Sequence, residues 1–237
     1  MQPMELAGRR VLIVGGSGQV GAAIAARAAE LGAALVLAGR DQIALEAVAA
    51  RLPDASVLVG DAMDAAEAAR LYAGAGKVDH MVVAVSAGAV RASSIPATAP
   101  DDARDAYAKM WATYAALHHA PGLVTEGGSV TLISGSSARR PSVGFGVWTG
   151  VHGAIEALAR AAVLELAPVR VNVVSPGGIG LKPDRQLVPH PGSGDDVARA
   201  VVALLTNPAV TGATLDVDSG ERLGTWSGEL QVKETTP

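Results

Sequence analysis

Residues 9–21 read RRVLIVGGSGQVG, and this stretch decides the fold. Val11 to Val14 form a continuous apolar run, which is typical of a strand buried on both faces of a parallel sheet. Glycines follow at once, and residues 22–31 predict an alanine-rich helix that stops at Gly32. The start of such a helix has free N–H groups and partial positive charge, so we expect a pyrophosphate to bind at the glycine turn.

The glycines of this turn follow the spacing G-x-x-G-x-x-G. Taken alone this spacing is a weak signal, because the usual dinucleotide turn is G-x-G-x-x-G. An apolar strand over 34–38 strengthens the signal, since it completes a strand–helix–strand unit of the right length. The alternative is a glycine-rich turn that binds no ligand. The residues expected to contact a dinucleotide here are Gly15, Ser17, Gly18, Gln19, Val20 and Gly21.

The composition predicts one globular α/β domain over residues 1–237. Of these residues, 49% are hydrophobic and 18% are charged, as expected of an aliphatic sheet covered by alanine-rich helices. The net charge of −4 argues against nucleic-acid and anionic-membrane partners. The absence of cysteine excludes disulfides and thiolate metal sites, and we expect no metal.

No part of the sequence predicts export or insertion into a membrane. Residues 1–8 lack the apolar core of a secretion signal, and no apolar run is long enough to span a bilayer. We therefore expect a cytoplasmic protein with no membrane partner. Residues 225–237 are polar and are expected to form a loose C-terminal tail.

Strands and helices alternate along the whole chain. Further strands are predicted at 56–60, 79–85, 128–134, 169–174 and 213–217. Further helices are predicted at 43–52, 65–73, 101–119, 147–166 and 195–205. This alternation predicts a single doubly wound parallel sheet of Rossmann type, flanked by helices on both faces. Ligands of such sheets lie at the carboxyl ends of the strands.

Two residues at strand ends indicate how the adenosine half of a dinucleotide would bind. Arg40 ends the second strand, where an arginine favours the 2′-phosphate of NADP and a carboxylate would favour NAD. The alternative is a solvated arginine. Asp61, with Ala62 beside it, follows the third strand and would either face the adenine or cap the helix at 65–73. The sequence therefore predicts NADP(H) as the cofactor.

Several motifs resemble those of the short-chain dehydrogenase/reductase family. The most specific is ELAPVRVNVVSPG at 165–177, and EAL at 156–158 and TGATLDVDSG at 211–220 add to it. The resemblance implies an oxidoreductase that acts on a small-molecule substrate. It also implies a homo-oligomer, a tetramer or a dimer, packed through the helices at 101–119 and 147–166. The further cofactor contacts that it implies are Ser86, Ala87, Gly88, Pro176, Gly177 and Ile179.

The positions of the family's catalytic residues contain other residues in this chain. Trp148 stands at the tyrosine position, and His152 stands at the lysine position. Gly135 replaces the serine, and Lys109 replaces the asparagine of the preceding long helix. Leu181 stands where the family usually has a threonine that binds the nicotinamide amide.

The replacements suggest a modified proton-transfer site. An indole does not titrate, so Trp148 is expected to line the cleft or only to pack. His152 is predicted to titrate near neutral pH and to act as the acid, with a hydrogen-bonded helix residue as the alternative. Ser136 or Ser137 would polarise a substrate carbonyl, and Lys109 would supply charge from the opposite side of the cleft. Activity should then fall as the pH rises through the pKa of His152.

Three functions stay open on this evidence. The first is an NADP(H)-dependent carbonyl reductase with a replaced catalytic tetrad, because hydride transfer is the chemistry of the cofactor. The second is a catalytically inactive nucleotide-binding protein. The third is a non-redox enzyme, a dehydratase, isomerase or cyclase, that uses the same pocket. Arg139 and Arg140 are either a solvated pair or a grip for an anionic substrate.

Overall fold

The computed structural model describes residues 5–86, 91–179 and 186–224. In these residues a parallel sheet of seven strands has the order β3-β2-β1-β4-β5-β6-β7. The strands are β1 (Arg10–Val14), β2 (Ala34–Gly39), β3 (Ala55–Val59), β4 (Val78–Val83), β5 (Val124–Ile133), β6 (Arg170–Pro176) and β7 (Thr214–Val217). The helices are α1 (Gln19–Glu30), α2 (Gln42–Ala49), α3 (Ala65–Ala75), α4 (Pro100–Leu123), α5 (Gly146–Glu165) and α6 (Gly194–Thr206).

The sheet is buried on both faces, as the apolar run at 11–14 predicts. Leu12 and Val14 belong to the core that β1 shares with α3, α4 and α5. Val11 and Ile13 point to the other face, where α1, α2 and α6 complete a second core. Successive side chains of a strand alternate between faces, so a strand between two helix layers must be apolar throughout. The prediction of a doubly wound Rossmann-type sheet is confirmed.

The strand order reverses between β1 and β4, and this reversal places the crevice for a ligand. β1 pairs with β2 on one side and with β4 on the other. The helices that follow β1 and β4 therefore leave in opposite directions, and the carboxyl ends of the two strands border an open crevice. The turn 15–18 lies between β1 and α1, at this edge of the sheet.

Aspartate side chains cap the starts of α2 and α3. Asp41 caps α2, since its carboxylate accepts a hydrogen bond from the Ala44 N–H at 2.9 Å. The cap of α3 is Asp64, whose carboxylate accepts from the Glu67 N–H at 2.8 Å. The alternative in which Asp61 caps this helix is therefore wrong, and its carboxylate faces the crevice instead.

The largest difference from the predicted boundaries lies between α4 and β5. The helix predicted to end at 119 continues to Leu123, and β5 begins at Val124, four residues before its predicted start. The pairing of β4 with β5 shifts register, because Val78 pairs with Val124 whereas His80 pairs with Ser129. The extra residues of β5 form a bulge there, which apolar periodicity does not reveal.

Parts of the sequence discussed above lie outside the described residues. They include the C-terminal tail predicted at 225–237 and Leu181, at the position of the family's threonine. Residues 186–193 contain neither helix nor strand. Across the described ranges, no helix combines the length and the apolar character needed to cross a bilayer.

Candidate active site

The glycine turn after β1 has the tight backbone that a pyrophosphate site needs. A Cβ atom on Gly15 would lie 2.6 Å from the Ala84 carbonyl oxygen, and one on Gly21 would lie 2.1 Å from the Gly15 carbonyl oxygen. Gly15 also has a φ of +88°, which favours glycine. No side chain caps the start of α1, where Gly18 is the N-cap. The N–H groups of the first turn of α1 are thus not covered by a capping side chain, and the turn fits a phosphate ligand.

A cavity of about 200 Å³, here named the Arg40 cavity, lies beside this turn at the ends of β1, β2, β3 and β4. It brings together the predicted contacts Gly15, Ser17, Gly18, Arg40, Asp61, Ala62 and Ser86. Gln19, Val20 and Gly21 do not line it, because they form the first turn of α1. The cavity is also lined by residues that were not predicted as cofactor contacts. These are Val14, Gly39, Asp41, Gly60, Met63, Ala84 and Val85.

Arg40 and Asp61 form an ion pair at the Arg40 cavity. An Arg40 Nη1 atom lies 3.8 Å from the Asp61 Oδ2 atom, and the other carboxylate oxygen of Asp61 accepts from the Met63 N–H at 2.9 Å. Glu67 anchors the same loop by accepting from the Asp61 N–H at 2.8 Å. The contact with Asp61 keeps the guanidinium at the cavity while more than half of its surface stays exposed.

A second cavity of about 200 Å³, here named the Ser137 cavity, lies at the ends of β5 and β6. It brings together the predicted residues Ser136, Ser137, Trp148, His152, Pro176 and Gly177. Two other predicted residues, Lys109 and Ile179, do not line it. Ala87 and Gly88 lie outside the described residues. The remaining lining residues are Gly135, Arg140, Ser142, Phe145, Gly178 and Glu221.

His152 connects the Ser137 cavity to the protein interior. Its Nδ1 atom lies 2.8 Å from the Ser137 hydroxyl oxygen, and its Nε2 atom lies 3.3 Å from the Lys109 Nζ atom. The indole of Trp148, one helical turn earlier on α5, stacks on the imidazole with the ring centres 5.7 Å apart. Of the two candidate serines, it is therefore Ser137 that contacts His152.

The prediction that His152 titrates near neutral pH is wrong. Burial lowers its pKa to about 3, and the positive charge of Lys109 acts in the same direction. Both effects disfavour the imidazolium form. His152 is therefore a neutral imidazole across the physiological range, which can pass a proton between its nitrogens but does not store one.

Gly135 makes room for this imidazole. A Cβ atom on Gly135 would lie 2.6 Å from both the Cε1 and Nδ1 atoms of His152. The backbone of Gly135 is extended, with a φ of 179°, so its conformation alone would admit any residue. The ring of His152 thus occupies the space that a side chain at 135 would need, and the two residues form a matched pair.

Lys109 lies behind His152, not across the cleft from it as predicted. The side chain projects from α4, its residue is only 7% exposed, and its Nζ atom lies 3.5 Å from the Ser134 carbonyl oxygen. Burial lowers the pKa of Lys109 to about 8. Lys109 therefore titrates near physiological pH next to the site. Its burial could not be predicted from the residue types in the sequence.

An ionic network on the far side of β5 stabilises the loop that contains Ser136 and Ser137. Glu156 of α5 accepts a hydrogen bond from the Ser134 hydroxyl at 3.1 Å, and its other oxygen lies 3.4 Å from Arg139 Nε. Arg139 also pairs with Asp216 of β7. Arg139 is exposed, as expected of a solvated arginine, but its guanidinium is already paired with two carboxylates, which argues against a grip for an anionic substrate. Arg140 lines the Ser137 cavity.

Glu221 is a site residue that the sequence reading missed. It follows β7, it is buried, and its carboxylate accepts from the Gly178 N–H at 3.1 Å at the floor of the Ser137 cavity. Gly177 packs directly against this carboxylate, since a Cβ atom there would lie 2.9 Å from it. Glu221 lies beyond the last strand, and no motif or spacing in the sequence marks it as a site residue.

Comparison with known proteins decides the family. A family model described as "Enoyl-(Acyl carrier protein) reductase" matches residues 16–221. An uncharacterized oxidoreductase of Mycobacterium tuberculosis is 31% identical over 239 residues, which cover 88% of this chain and 90% of the relative. A short-chain dehydrogenase/reductase of Stachybotrys chlorohalonatus is 29% identical over 255 residues, covering 90% and 96%. The chain belongs to the short-chain dehydrogenase/reductase family.

Solved structures agree with this assignment to the short-chain dehydrogenases/reductases. A short-chain type dehydrogenase/reductase from Mycobacterium ulcerans superposes with a TM-score of 0.86 at 25% identity, covering 93% of this chain and 92% of that one. The reductase/Diels-Alderase MalC from Malbranchea aurantiaca superposes with a TM-score of 0.84 at 25% identity, covering 92% and 97%. The family is one of oxidoreductases that use a nicotinamide cofactor and act on small-molecule substrates.

Proposed function

We propose that this short-chain dehydrogenase/reductase is an NADP(H)-dependent carbonyl reductase with a replaced catalytic tetrad. In this proposal Trp148, His152, Gly135 and Lys109 stand where the family's tyrosine, lysine, serine and asparagine do. The observation that supports it most is the 2.8 Å contact between Ser137 and His152 at the wall of a cavity in the sheet's ligand-binding edge. A carbonyl oxygen needs a proton donor when the carbonyl is reduced. The Ser137 hydroxyl lies at a cavity and is connected through His152 to the buried Lys109, so it fits this role.

The two cavities suit the two halves of a dinucleotide. They lie at the same sheet edge, the Arg40 cavity at the ends of β1 to β4 with the glycine turn beside it, and the Ser137 cavity at the ends of β5 and β6. Arg40 would bind the 2′-phosphate, and Asp61 and Ala62 would lie against the adenosine. Pro176, Gly177 and Ile179 would lie beside the nicotinamide, and Ser86 would contact the cofactor from the Arg40 cavity, which it lines. When bound, the reduced nicotinamide supplies a hydride, that is one hydrogen with two electrons.

Ser137 would supply the proton that completes the reduction. As the carbonyl carbon forms its new C–H bond, the π pair moves onto the oxygen, and that oxygen takes the proton of the Ser137 hydroxyl. Trp148 cannot do this because its indole does not titrate, and its ring is already stacked on His152. Ser136 lines the cavity without contacting His152 and would orient the substrate oxygen.

The Ser137 cavity would hold the nicotinamide ring as well as the substrate, so its volume limits the size of the substrate. Its volume of about 200 Å³ is below the ordinary range of about 300–1,000 Å³ for drug-sized ligands. Phe145 and Trp148 give it aromatic walls, while Ser136, Ser137 and Ser142 contribute hydroxyl groups. A small ketone or aldehyde with an apolar body fits this lining best.

The test is NADPH consumption with a panel of small ketones and aldehydes, compared among serine-to-alanine variants. We expect Ser137→Ala to lower kcat by roughly 10²–10⁴-fold, the usual worth of a general acid, with the Kd of NADPH unchanged. Ser136→Ala should cost less. Ser56→Ala is the matched control, because that hydroxyl lies on β3 and donates to the Leu35 carbonyl. Failure to bind NADPH, or wild-type turnover by Ser137→Ala, would contradict the proposal.

A non-redox reaction in the same cavity is the second candidate. The observation in its favour is the structural likeness to MalC, a protein named as both a reductase and a Diels-Alderase. A hydroxyl donor between aromatic walls would also polarise a carbonyl for cyclisation. The same assays separate the candidates, since cyclisation forms product without consuming NADPH. An inactive nucleotide-binding protein would bind NADPH and do neither.

We further propose a cytoplasmic homo-oligomer, a tetramer or a dimer, that assembles through α4 and α5. Trp111 and Tyr114 lie on the outer side of α4, are each about half exposed or more, and contact one another edge to face. Leu164 is exposed on α5. Large apolar side chains grouped on long helices are typical of surfaces that pack against another subunit.

A further inference from the structure

We propose that Lys109, acting through His152, is the proton donor that reprotonates Ser137. This inference rests on the proposed function, because it concerns the proton delivered to the substrate oxygen. It assigns His152 the role of a relay and Lys109 that of a positioning residue which also supplies the proton. Neither residue needs to touch the substrate, and Lys109 does not line the Ser137 cavity.

The order of the three groups fixes the direction of the hydrogen bonds. A lysine ammonium only donates, so the His152 Nε2 atom at 3.3 Å must accept from Lys109 Nζ. A neutral imidazole has one N–H, which must then be on Nδ1, where it donates to the Ser137 oxygen at 2.8 Å. With its oxygen accepting this bond, the Ser137 hydroxyl is free to donate its proton into the cavity. The assignment of the tautomer follows from these donors and acceptors, given an ammonium at Lys109 and a neutral imidazole at His152.

The surroundings of Lys109 allow its ammonium to give up a proton. Besides His152 of α5, the Nζ atom faces the carbonyl of Ser134, the residue after β5. The carboxylate next to Ser134, that of Glu156, is paired with Arg139. No carboxylate within the described ranges forms an ion pair with Lys109. Burial without a counter-charge lowers the pKa of Lys109 to about 8, against 10.5 for a free lysine.

The proton balance closes over one turnover. Ser137 gives its proton to the substrate oxygen and takes the Nδ1 proton of His152, whose Nε2 takes a proton from Lys109. Lys109 is then neutral and His152 has the opposite tautomer. After the alcohol leaves, one proton from cavity water enters through Ser137 and restores the three groups in reverse order. The buried lysine thus needs no solvent path of its own.

The same arrangement argues against a nucleophilic role for Ser137. A serine nucleophile needs a neighbouring histidine that becomes an imidazolium when it takes the hydroxyl proton. Here the lysine ammonium next to His152 opposes that charge, and the imidazole is buried. The triad is therefore built to donate a proton to an oxygen and not to remove one from Ser137.

The tautomer of His152 tests the relay in the protein without cofactor or substrate. Nitrogen-15 NMR of the imidazole at pH 7 should show a single neutral tautomer protonated at Nδ1. Lys109→Met should abolish this preference, while Thr113→Val, a buried variant one turn along α4, should keep it. Protonation at Nε2 in the wild type would overturn the relay, whether or not a substrate has been found.

The pH profile of kcat/KM provides the second readout. In the wild type the rate of reduction should fall about tenfold per pH unit above pH 8, because the ammonium form of Lys109 is the donor. In Lys109→Met this alkaline limb should vanish, with a rate on the order of 10²-fold lower at pH 7. An unchanged limb in Lys109→Met would overturn the relay. Absence of turnover with a Nδ1–H tautomer would instead refute the carbonyl reductase and leave the relay supported.

Discussion

Replacing Lys109 with methionine should stabilise the protein while it slows catalysis. In the folded protein the pKa of Lys109 is about 8, compared with 10.5 for the free side chain, because the ammonium group is buried. Each unit of difference corresponds to about 1.4 kcal/mol, so the buried charge destabilises the fold by roughly 3 kcal/mol at pH 7. Methionine has a similar length and no charge, and it should recover most of this free energy.

The pH dependence of the difference separates this effect from a change in packing. Between pH 8 and pH 10.5 the unfolded chain binds more protons at Lys109 than the folded one does, so wild-type stability rises with pH in this window. The advantage of Lys109→Met should therefore be complete below pH 8 and should fade towards pH 10.5. Thr113→Val, which changes no charge, should differ from the wild type by an amount that does not depend on pH.

Urea unfolding at pH 7 and pH 10 measures both free energies, and thermal unfolding at pH 7 offers a check. For a chain of this length, roughly 3 kcal/mol corresponds to a rise in Tm of about 6–12 °C. A Lys109→Met variant that is less stable than the wild type at pH 7 would refute the reasoning. So would a gain in stability of the same size at both pH values, because it would then come from packing.

Three further predictions concern the cofactor, the His152 site and the assembly. Arg40→Ala should weaken binding of NADPH about tenfold in calorimetry and leave NADH unchanged, because the guanidinium faces the Arg40 cavity. Gly135→Ala should displace the imidazole of His152 and lower turnover roughly 10²-fold, whereas Gly153→Ala on α5, where nothing lies within 4 Å, should not. Light scattering should show a tetramer or a dimer that Trp111→Glu dissociates; a wild-type monomer at micromolar concentration would refute the assembly.

The strands and the glycine turn could be predicted because their physics is local. An apolar run such as 11–14 predicts a strand buried on both faces, and the glycines that follow predict a tight turn into a helix. The positions at which the prediction differed depend on contacts between distant segments. The early start of β5 at Val124 is one, since it follows from how the strand pairs with β4 and not from its own composition.

The residues of the site were predicted better than their chemistry. Ser137, Trp148 and His152 do lie together at one cavity. Their protonation states follow from burial and from the charge of Lys109, which reaches them from a helix more than forty residues away in sequence. A residue type shows what a side chain can do in water, whereas its pKa in the fold depends on neighbours that a single sequence does not identify.

A crystal structure of the protein with NADPH tests the central claim most directly. The account predicts that the nicotinamide ring enters the Ser137 cavity, with its C4 atom facing the space next to the hydroxyl of Ser137, and that the 2′-phosphate contacts Arg40. His152 should keep its contacts with Ser137 and Lys109. A nicotinamide ring bound outside this cavity, or with C4 turned away from Ser137, would contradict the account.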